Sequence, residues 1–298
     1  MKFLITGSAG LVGRQLARDL SESSQVYSCY RRARPEYGIP TPMDLARPDD
    51  IGEAISRVKP DVIFHLAAIS DADTCEREKG LATAINVRAT EEIARQAARL
   101  RSFLVYLSTD QIFDGKGRMR RESDRPNPVN HYGRTKLEGE GAVQDLSSKW
   151  CIARTSVVYG YHPARTNFLA SVASRLLSGE KCLALEDQHV SPTYLPNLSR
   201  MLSEMGTRQI AGVIHLAGGT RVSRYEMARM LSERLGLDAR LLTRAKMSDM
   251  KDWSAPRPHD SSLDTTKAGK ILKERPLPFE AGLELYARQL RARSSSVP

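Results

Sequence analysis

Apolar and polar positions change period repeatedly along the chain, and each change marks an element. Lys2 to Thr6 is a short apolar run that ends in a glycine-rich turn. The next stretch puts Leu11, Leu16 and Leu20 on one helical face, with Arg14, Arg18 and Asp19 off it. Gln25 to Tyr30 predicts a second strand, and a third precedes Asp44-Leu45. Asp49 to Val58 predicts a helix closed by Pro60. Val62 to Ala68 is almost wholly apolar, which marks a parallel strand covered on both faces. Leu81 to Leu100 predicts a long helix carrying Ile85, Ile93 and Ala97, and Phe103 to Leu107 another buried strand. Asn130 to Leu146 predicts a helix and Cys151 to Val158 a strand.

Strands thus alternate with helices over roughly the first 160 residues, the pattern of βαβ units in a doubly wound parallel sheet. After Gly160 the pattern loosens. Asn167 to Leu177 predicts a helix, Gln188 to Pro196 a loop holding two prolines, Val213 to Leu216 a strand and Arg224 to Leu235 a helix. A Pro-rich segment, Ala255 to Pro258, leads to a last helix after Phe279. No internal repeat is present, and the tail from Ser294 to Pro298 is expected to fray.

Composition narrows the class. The chain has 298 residues, of which 41% are hydrophobic and 27% charged, which suits a globular fold. No apolar run approaches the roughly 20 residues of a membrane-crossing helix, and the N-terminus lacks a secretory apolar segment. Four widely spaced cysteines (Cys29, Cys75, Cys151, Cys182) form neither a zinc pattern nor a disulfide framework. The expected setting is a reducing cytoplasm, with no structural metal. With 45 basic against 35 acidic residues the formal charge is +10. The arginines are scattered and lack a stacking-aromatic motif, so acidic small molecules are expected rather than nucleic acid.

One arginine cluster has a task suggested by its place. The turn Gly7-Ser8-Ala9-Gly10-Leu11-Val12-Gly13 follows a strand and opens a helix. Early glycines let the backbone turn tightly beside a pyrophosphate, and the last lets helix and strand pack closely. The helix start offers free N–H groups and partial positive charge to phosphates. At the end of the second strand, where an acidic residue would grip a ribose 2′-hydroxyl, the chain has Arg31, Arg32 and Arg34. Guanidinium groups suit a 2′-phosphate, which favours NADPH while admitting NADH; the alternative is that they face solvent. Asp44 and Leu45 are placed to border the adenine.

Tyr132 and Lys136 stand four residues apart in a helical pattern, so both lie on one face. A nearby ammonium favours phenolate and lowers the phenol pKa, which fits proton exchange with a carbonyl oxygen as a hydride reaches its carbon. Thr109 ends a preceding strand, at the sheet edge where open α/β sheets bind ligands.

Here the chain resembles an extended short-chain dehydrogenase/reductase, and within that class the dTDP-4-dehydrorhamnose reductase family. The resemblance runs through Leu66-Ala67-Ala68, Asn86-Val87, the block Ser108-Thr109-Asp110-Gln111-Ile112-Phe113-Asp114-Gly115, and Tyr132-Gly133-Arg134-Thr135-Lys136-Leu137-Glu138-Gly139-Glu140. It implies a Rossmann-type α/β fold, with a dinucleotide-binding domain over 1–160 and a smaller substrate-binding lobe over 161–298, some of whose segments return to the sheet. It implies that Tyr132 is the general acid, that Lys136 tunes it while holding the nicotinamide ribose, and that Thr109 assists at the carbonyl. Leu66, Ala67 and Ala68 would line the cofactor cleft, and Thr109 and Asp110 would contact the sugar. Asn167 and Gln188 fall where the family shapes its nucleotide-sugar pocket. Arg257 is a candidate clamp for the substrate diphosphate, its alternative being a structural ion pair. The substrate implied is a nucleotide-diphosphate sugar carrying a 4-keto group; a homodimer is left open.

The chain departs from the family at Val157, where a tryptophan usually contacts the nucleotide sugar. It also resembles the regulatory β subunit of methionine adenosyltransferase, through Arg31 to Pro35 and Ser223 to Ala228. A cofactor-binding regulatory subunit is therefore one alternative. A sugar epimerase or dehydratase is another, but dehydratases place a glutamate after the threonine and aspartate, and here that position is Gln111. His65 is expected to be a hydrogen-bonded core residue, His131 to point away from catalysis, and Asp71 and Asp73 to begin a helix.

Overall fold

The computed structural model describes residues 1–294; residues 295–298 of the tail expected to fray lie outside the described set. In chain order the elements are β1 (Lys2–Thr6), α1 (Leu11–Ser21), β2 (Gln25–Tyr30), β3 (Ile39–Pro42), α2 (Pro48–Val58), β4 (Val62–His65), α3 (Ala72–Arg77), α4 (Lys79–Thr83), α5 (Ala89–Leu100), β5 (Phe103–Thr109) and α6 (His131–Leu146). There follow β6 (Trp150–Thr155), β7 (Val158–Tyr159), α7 (Phe168–Leu177), β8 (Cys182–Leu185), β9 (His189–Val190), β10 (Thr193–Tyr194), α8 (Leu195–Thr207), β11 (Gly212–His215), β12 (Val222–Ser223), α9 (Arg224–Leu235), β13 (Leu242–Ala245), α10 (Thr266–Ile271) and α11 (Phe279–Ser294).

Seven strands make one parallel sheet in the order β11-β6-β5-β4-β1-β2-β3. Central strands buried on both faces need apolar residues throughout, and Phe3, Leu4 and Ile5 of β1 and Val62, Ile63 and Phe64 of β4 are all buried. Leu16 and Leu20 of α1 share one core with Leu198, Met201, Leu202 and Met205 of α8. The other face of the sheet is covered by α2, α5 and α6 through Ile51, Ile55, Ile93, Ala97 and Val143. The strand order reverses between β1 and β4, and the crevice at their carboxyl ends is the ligand position of such sheets. A separate core gathers α7, α9, α11, β8 and β13 around Leu169, Leu231, Phe279 and Tyr286.

Four expectations need correction. The run Val62 to Ala68 leaves the sheet at His65, because the N–H groups of Leu66 and Ala67 turn to the Thr6 hydroxyl (3.1 and 3.2 Å) instead of a strand. The helix expected over Leu81 to Leu100 is interrupted by a π-turn, Ala84–Arg88. That turn aims Asn86 at the chain after β4, where it exchanges two bonds with the Ile69 backbone (2.9 and 3.0 Å) and donates to Thr135 (3.0 Å). The strand expected over Cys151 to Val158 ends at Thr155. The segment Gln188 to Pro196 is not a plain loop: it carries β9 and β10 and starts α8, with Pro196 at the helix start where proline is tolerated. None of the helices in the described residues is long and apolar enough to cross a membrane.

Candidate active site

The crevice at the sheet's reversal point opens into a cleft of about 1070 Å³. Gly7 starts its floor at φ 71°, and a Cβ there would lie 2.9 Å from the backbone of Ala67. A Cβ on Gly13 would meet the Gly7 carbonyl at 2.2 Å, so only glycine lets α1 sit this close to β1. Gly10 returns its N–H to the Gly7 carbonyl at 2.8 Å, which leaves the start of α1 facing the cleft. Gly7, Ala9, Gly10, Leu11, Val12 and Gly13 all line it.

Across from the turn the cleft is bordered by Arg31, Arg32, Asp44 and Leu45, and on its inner wall by Leu66, Ala67 and Ala68. The Arg31 side chain is more than half exposed and lies 4.0 Å from the Asp44 carboxylate. His65 lies beneath this wall, bonded to Thr6 (2.8 Å) and Thr90 (2.9 Å). Burial holds it far below its ordinary pKa, at about 3, so it is a neutral core residue as expected.

Thr109, Tyr132 and Lys136 all line the same cleft, and Thr109 is hydrogen-bonded to Tyr132. Asn130 starts the helix that carries two of them: its Oδ1 accepts the Gly133 N–H (2.8 Å), and its Nδ2 donates to Gln111 Oε1 (2.8 Å) and to the Pro256 carbonyl (2.9 Å). Gln111 therefore braces the helix and offers no carboxylate. Burial of the Tyr132 ring pushes its phenol above the ordinary value, and a hydrogen bond to Thr109 opposes this. The expected lowering by a neighbouring ammonium does not arise here: the shift on Tyr132 is set by desolvation, and the phenol keeps its proton at neutral pH. Lys136 is 2% exposed. Burial brings it down to about 7, partly countered by the charge of Glu140. Its Nζ lies 3.9 Å from the centroid of the Tyr106 ring. Cys75, which faces the same groups, is raised to about 11 by burial and stays a thiol.

Asp110 is buried behind Thr109 and accepts bonds from Thr109 (3.1 Å), Ser156 (2.7 Å) and Ser261 (2.6 Å). Burial raises its pKa; those bonds and the Arg224 guanidinium resist the rise. Asp110 and Val157 line the cleft.

Three residues expected in a substrate pocket do not reach the cleft. Asn167 caps α7, accepting from Ala170 N–H (3.2 Å) and donating to the Gly160 carbonyl (2.6 Å). Gln188 accepts from Arg224 Nε at 3.2 Å. Arg257 grips Asp73 with both terminal nitrogens (2.7 and 3.2 Å) and lies over the Trp253 ring. Its fork is committed to a structural ion pair. Asp71 caps α3 through the Thr74 N–H (2.7 Å), while Asp73, inside the helix, holds the segment 254–257.

Residues that the sequence did not single out also face the cleft, among them Ile69, Ser70, Leu81 and the stretch Ala164-Arg165-Thr166. No motif marks them; only the fold brings them in. Among the described residues no group of His, Cys, Asp and Glu could hold a metal ion.

A family model described as RmlD substrate binding domain matches residues 1–292. The chain is 32% identical over 289 residues to Methionine adenosyltransferase 2 subunit beta of Xenopus tropicalis, covering 94% of this chain and 85% of that protein. Its fold superposes with a TM-score of 0.84 on a hypothetical dTDP-4-dehydrorhamnose reductase from Sulfolobus tokodaii, at 34% identity, covering 92% of this chain and 95% of that one. It also superposes, at a TM-score of 0.87 and 26% identity, on dTDP-4-dehydrorhamnose reductase from Bacillus anthracis in complex with NADP, covering 97% of this chain and 99% of that one.

Proposed function

The chain belongs to the RmlD substrate-binding domain family, and on that footing we propose that it is an NADPH-dependent reductase of the 4-keto group of a nucleotide-activated 6-deoxysugar. What carries the reading is the grouping of Thr109, Tyr132 and Lys136 on the same cleft as the glycine turn and the two strand-end arginines. The donor set fits a dinucleotide. Backbone N–H groups at the start of α1 suit a pyrophosphate, and Arg31 and Arg32 suit a 2′-phosphate at the adenosine end. The phenol and ammonium stand at the opposite end, where the nicotinamide would lie. When bound, the reduced dinucleotide supplies a hydride to the carbonyl carbon.

The protein's own part is to place and protonate the carbonyl. Thr109, whose oxygen is steered by the Gln111 N–H (3.2 Å), orients the carbonyl oxygen. Tyr132, kept protonated by burial, gives its proton to that oxygen as charge develops on it. Lys136, poised at about 7, is able to return a proton to the phenolate. Asp110, hydrogen-bonded on three sides, holds Thr109 in place. Gln111 does not exchange protons near neutral pH, so β-elimination would lack its base, which weighs against a dehydratase.

A second reading is favoured by one finding, the 32% identity to a methionine adenosyltransferase β subunit. In it the cleft holds a dinucleotide and the chain serves as a partner subunit. The test is NADPH oxidation followed by absorbance, then NADH oxidation, with dTDP-, UDP- and GDP-linked 4-keto-6-deoxyhexoses. Turnover with one of them supports the reductase. No turnover with any, together with co-purification of a methionine adenosyltransferase, selects the subunit.

A further inference from the structure

We infer that Arg165 is a further ligand for the dinucleotide pyrophosphate, reaching from the segment after β7 across the cleft to the glycine turn and strapping the two sides together when a dinucleotide binds. The inference rests on the reading of this cleft as a dinucleotide site.

Four observations carry it. The stretch Ala164-Arg165-Thr166 lines the cleft together with Ala9, Gly10 and Leu11. Arg165 Nε donates to the Ala9 carbonyl at 3.4 Å, a long bond that spans 156 residues of chain and sets the guanidinium beside the start of α1. That helix start is where anionic oxygens are favoured. Among the described residues Arg165 pairs with no carboxylate, whereas Arg14, close by on α1, is engaged by Glu36 at 2.6 Å. Finally, the segment is held at both ends and turned inward between them. Arg293 lies over the Tyr161 ring, and Asn167 donates to the Gly160 carbonyl. His162 Nδ1 accepts the Ala164 N–H at 3.1 Å. Burial, with the nearby guanidinium groups of Arg14 and Arg165, keeps that imidazole below its ordinary pKa and so uncharged. The positive charge that this segment brings to the cleft is therefore the Arg165 guanidinium.

The chemistry favours an exchange of partners. A guanidinium bonds an anionic phosphate oxygen more strongly than a neutral carbonyl, and a long bond to Ala9 is readily given up. The pyrophosphate is common to NADPH and NADH, so Arg165 should not discriminate between them. In this it differs from Arg31 and Arg32, whose expected partner is the 2′-phosphate of NADPH alone.

The test is equilibrium binding of NADPH and of NADH by ligand fluorescence, with hydrogen exchange of residues 161–166 read in parallel. For Arg165→Ala the expected result is about tenfold weaker binding of both dinucleotides. NADPH should slow exchange in this segment in the parent and not in the variant. Arg165→Lys, which keeps the charge without the fork, should recover part of the affinity, and an unchanged melting temperature shows that the variants fold. A parent that binds dinucleotide while Arg165→Ala binds equally well overturns the inference alone. So does a loss confined to NADPH, which would place Arg165 on the 2′-phosphate. A parent that binds neither dinucleotide overturns the underlying reading of the cleft.

Discussion

Glu140 of α6 and Arg154 of β6 form a buried ion pair between helix and sheet, with the guanidinium 2.7 Å from the carboxylate and both side chains at most 5% exposed. Glu140 follows Lys136 by one turn of α6, and its remaining capacity is filled by the Ser108 hydroxyl at 2.5 Å. The pair joins α6 to β5 and β6, and its negative member supports the positive charge on Lys136.

Removing one partner of such a pair leaves an uncompensated charge in the interior. Glu140→Gln is expected to cost about 3–5 kcal/mol of stability, measured by urea denaturation. Replacing both members by apolar residues of similar volume, as in Glu140→Leu with Arg154→Met, should restore most of the loss. Equal losses in the single and double variants would mean that packing, not charge, is what the pair supplies.

Tyr132→Phe deletes the hydroxyl proposed to give up the proton and leaves the ring. The rate of keto-sugar reduction should fall by about 100-fold or more, while NADPH affinity changes little. A variant that turns over like the parent would remove Tyr132 from the reaction.

Replacing Arg31 and Arg32 together by alanine should weaken NADPH by at least about tenfold and leave NADH unaffected. Equal losses would assign the two guanidinium groups to a part of the dinucleotide that both forms share.

Lys136 gives a pH signature. Burial brings it to about 7 in the folded chain, against an ordinary value of 10.5. Between those values the unfolded chain holds a proton that the folded chain has released, so stability rises with pH across that window. The slope is at most about 1.4 kcal/mol per pH unit, and it vanishes below 7, where both states are protonated. Buried thiols such as Cys75 act in the opposite sense above their ordinary value of 9.0. The informative quantity is therefore parent minus Lys136→Met, followed by denaturation from pH 6 to 10. A difference that does not vary with pH would mean that Lys136 titrates normally.

Much of this architecture was legible from residue order, because its signals are local. Alternation of period predicts the parallel sheet, glycine spacing predicts the turn, and the helix predicted over Arg224 to Leu235 coincides with α9. The predicted elements lack α8 although Leu195, Leu198, Leu202 and Met205 recur at helical spacing; Pro196 reads as a loop residue but stands at a helix start. The π-turn at Ala84–Arg88 left no mark, since it answers to a contact between Asn86 and Ile69 that only the fold creates. The same holds for the substrate side. Asn167, Gln188 and Arg257 have the right chemistry for polar ligands, but their partners Gly160, Arg224 and Asp73 are other parts of the chain. For Tyr132, residue spacing foretold a lowered phenol, and the depth of the ring reversed the sign.

The late return of β11 and α8 to the sheet has a consequence for anyone who would transplant lobes between relatives. A fragment cut at residue 160 would strip the cover from Leu16, Leu20 and Phe64 and leave β6 with an open edge. The sheet-bearing half is thus completed by downstream sequence, and a chimera that respects the molecule must carry residues 195–215 along with the first half.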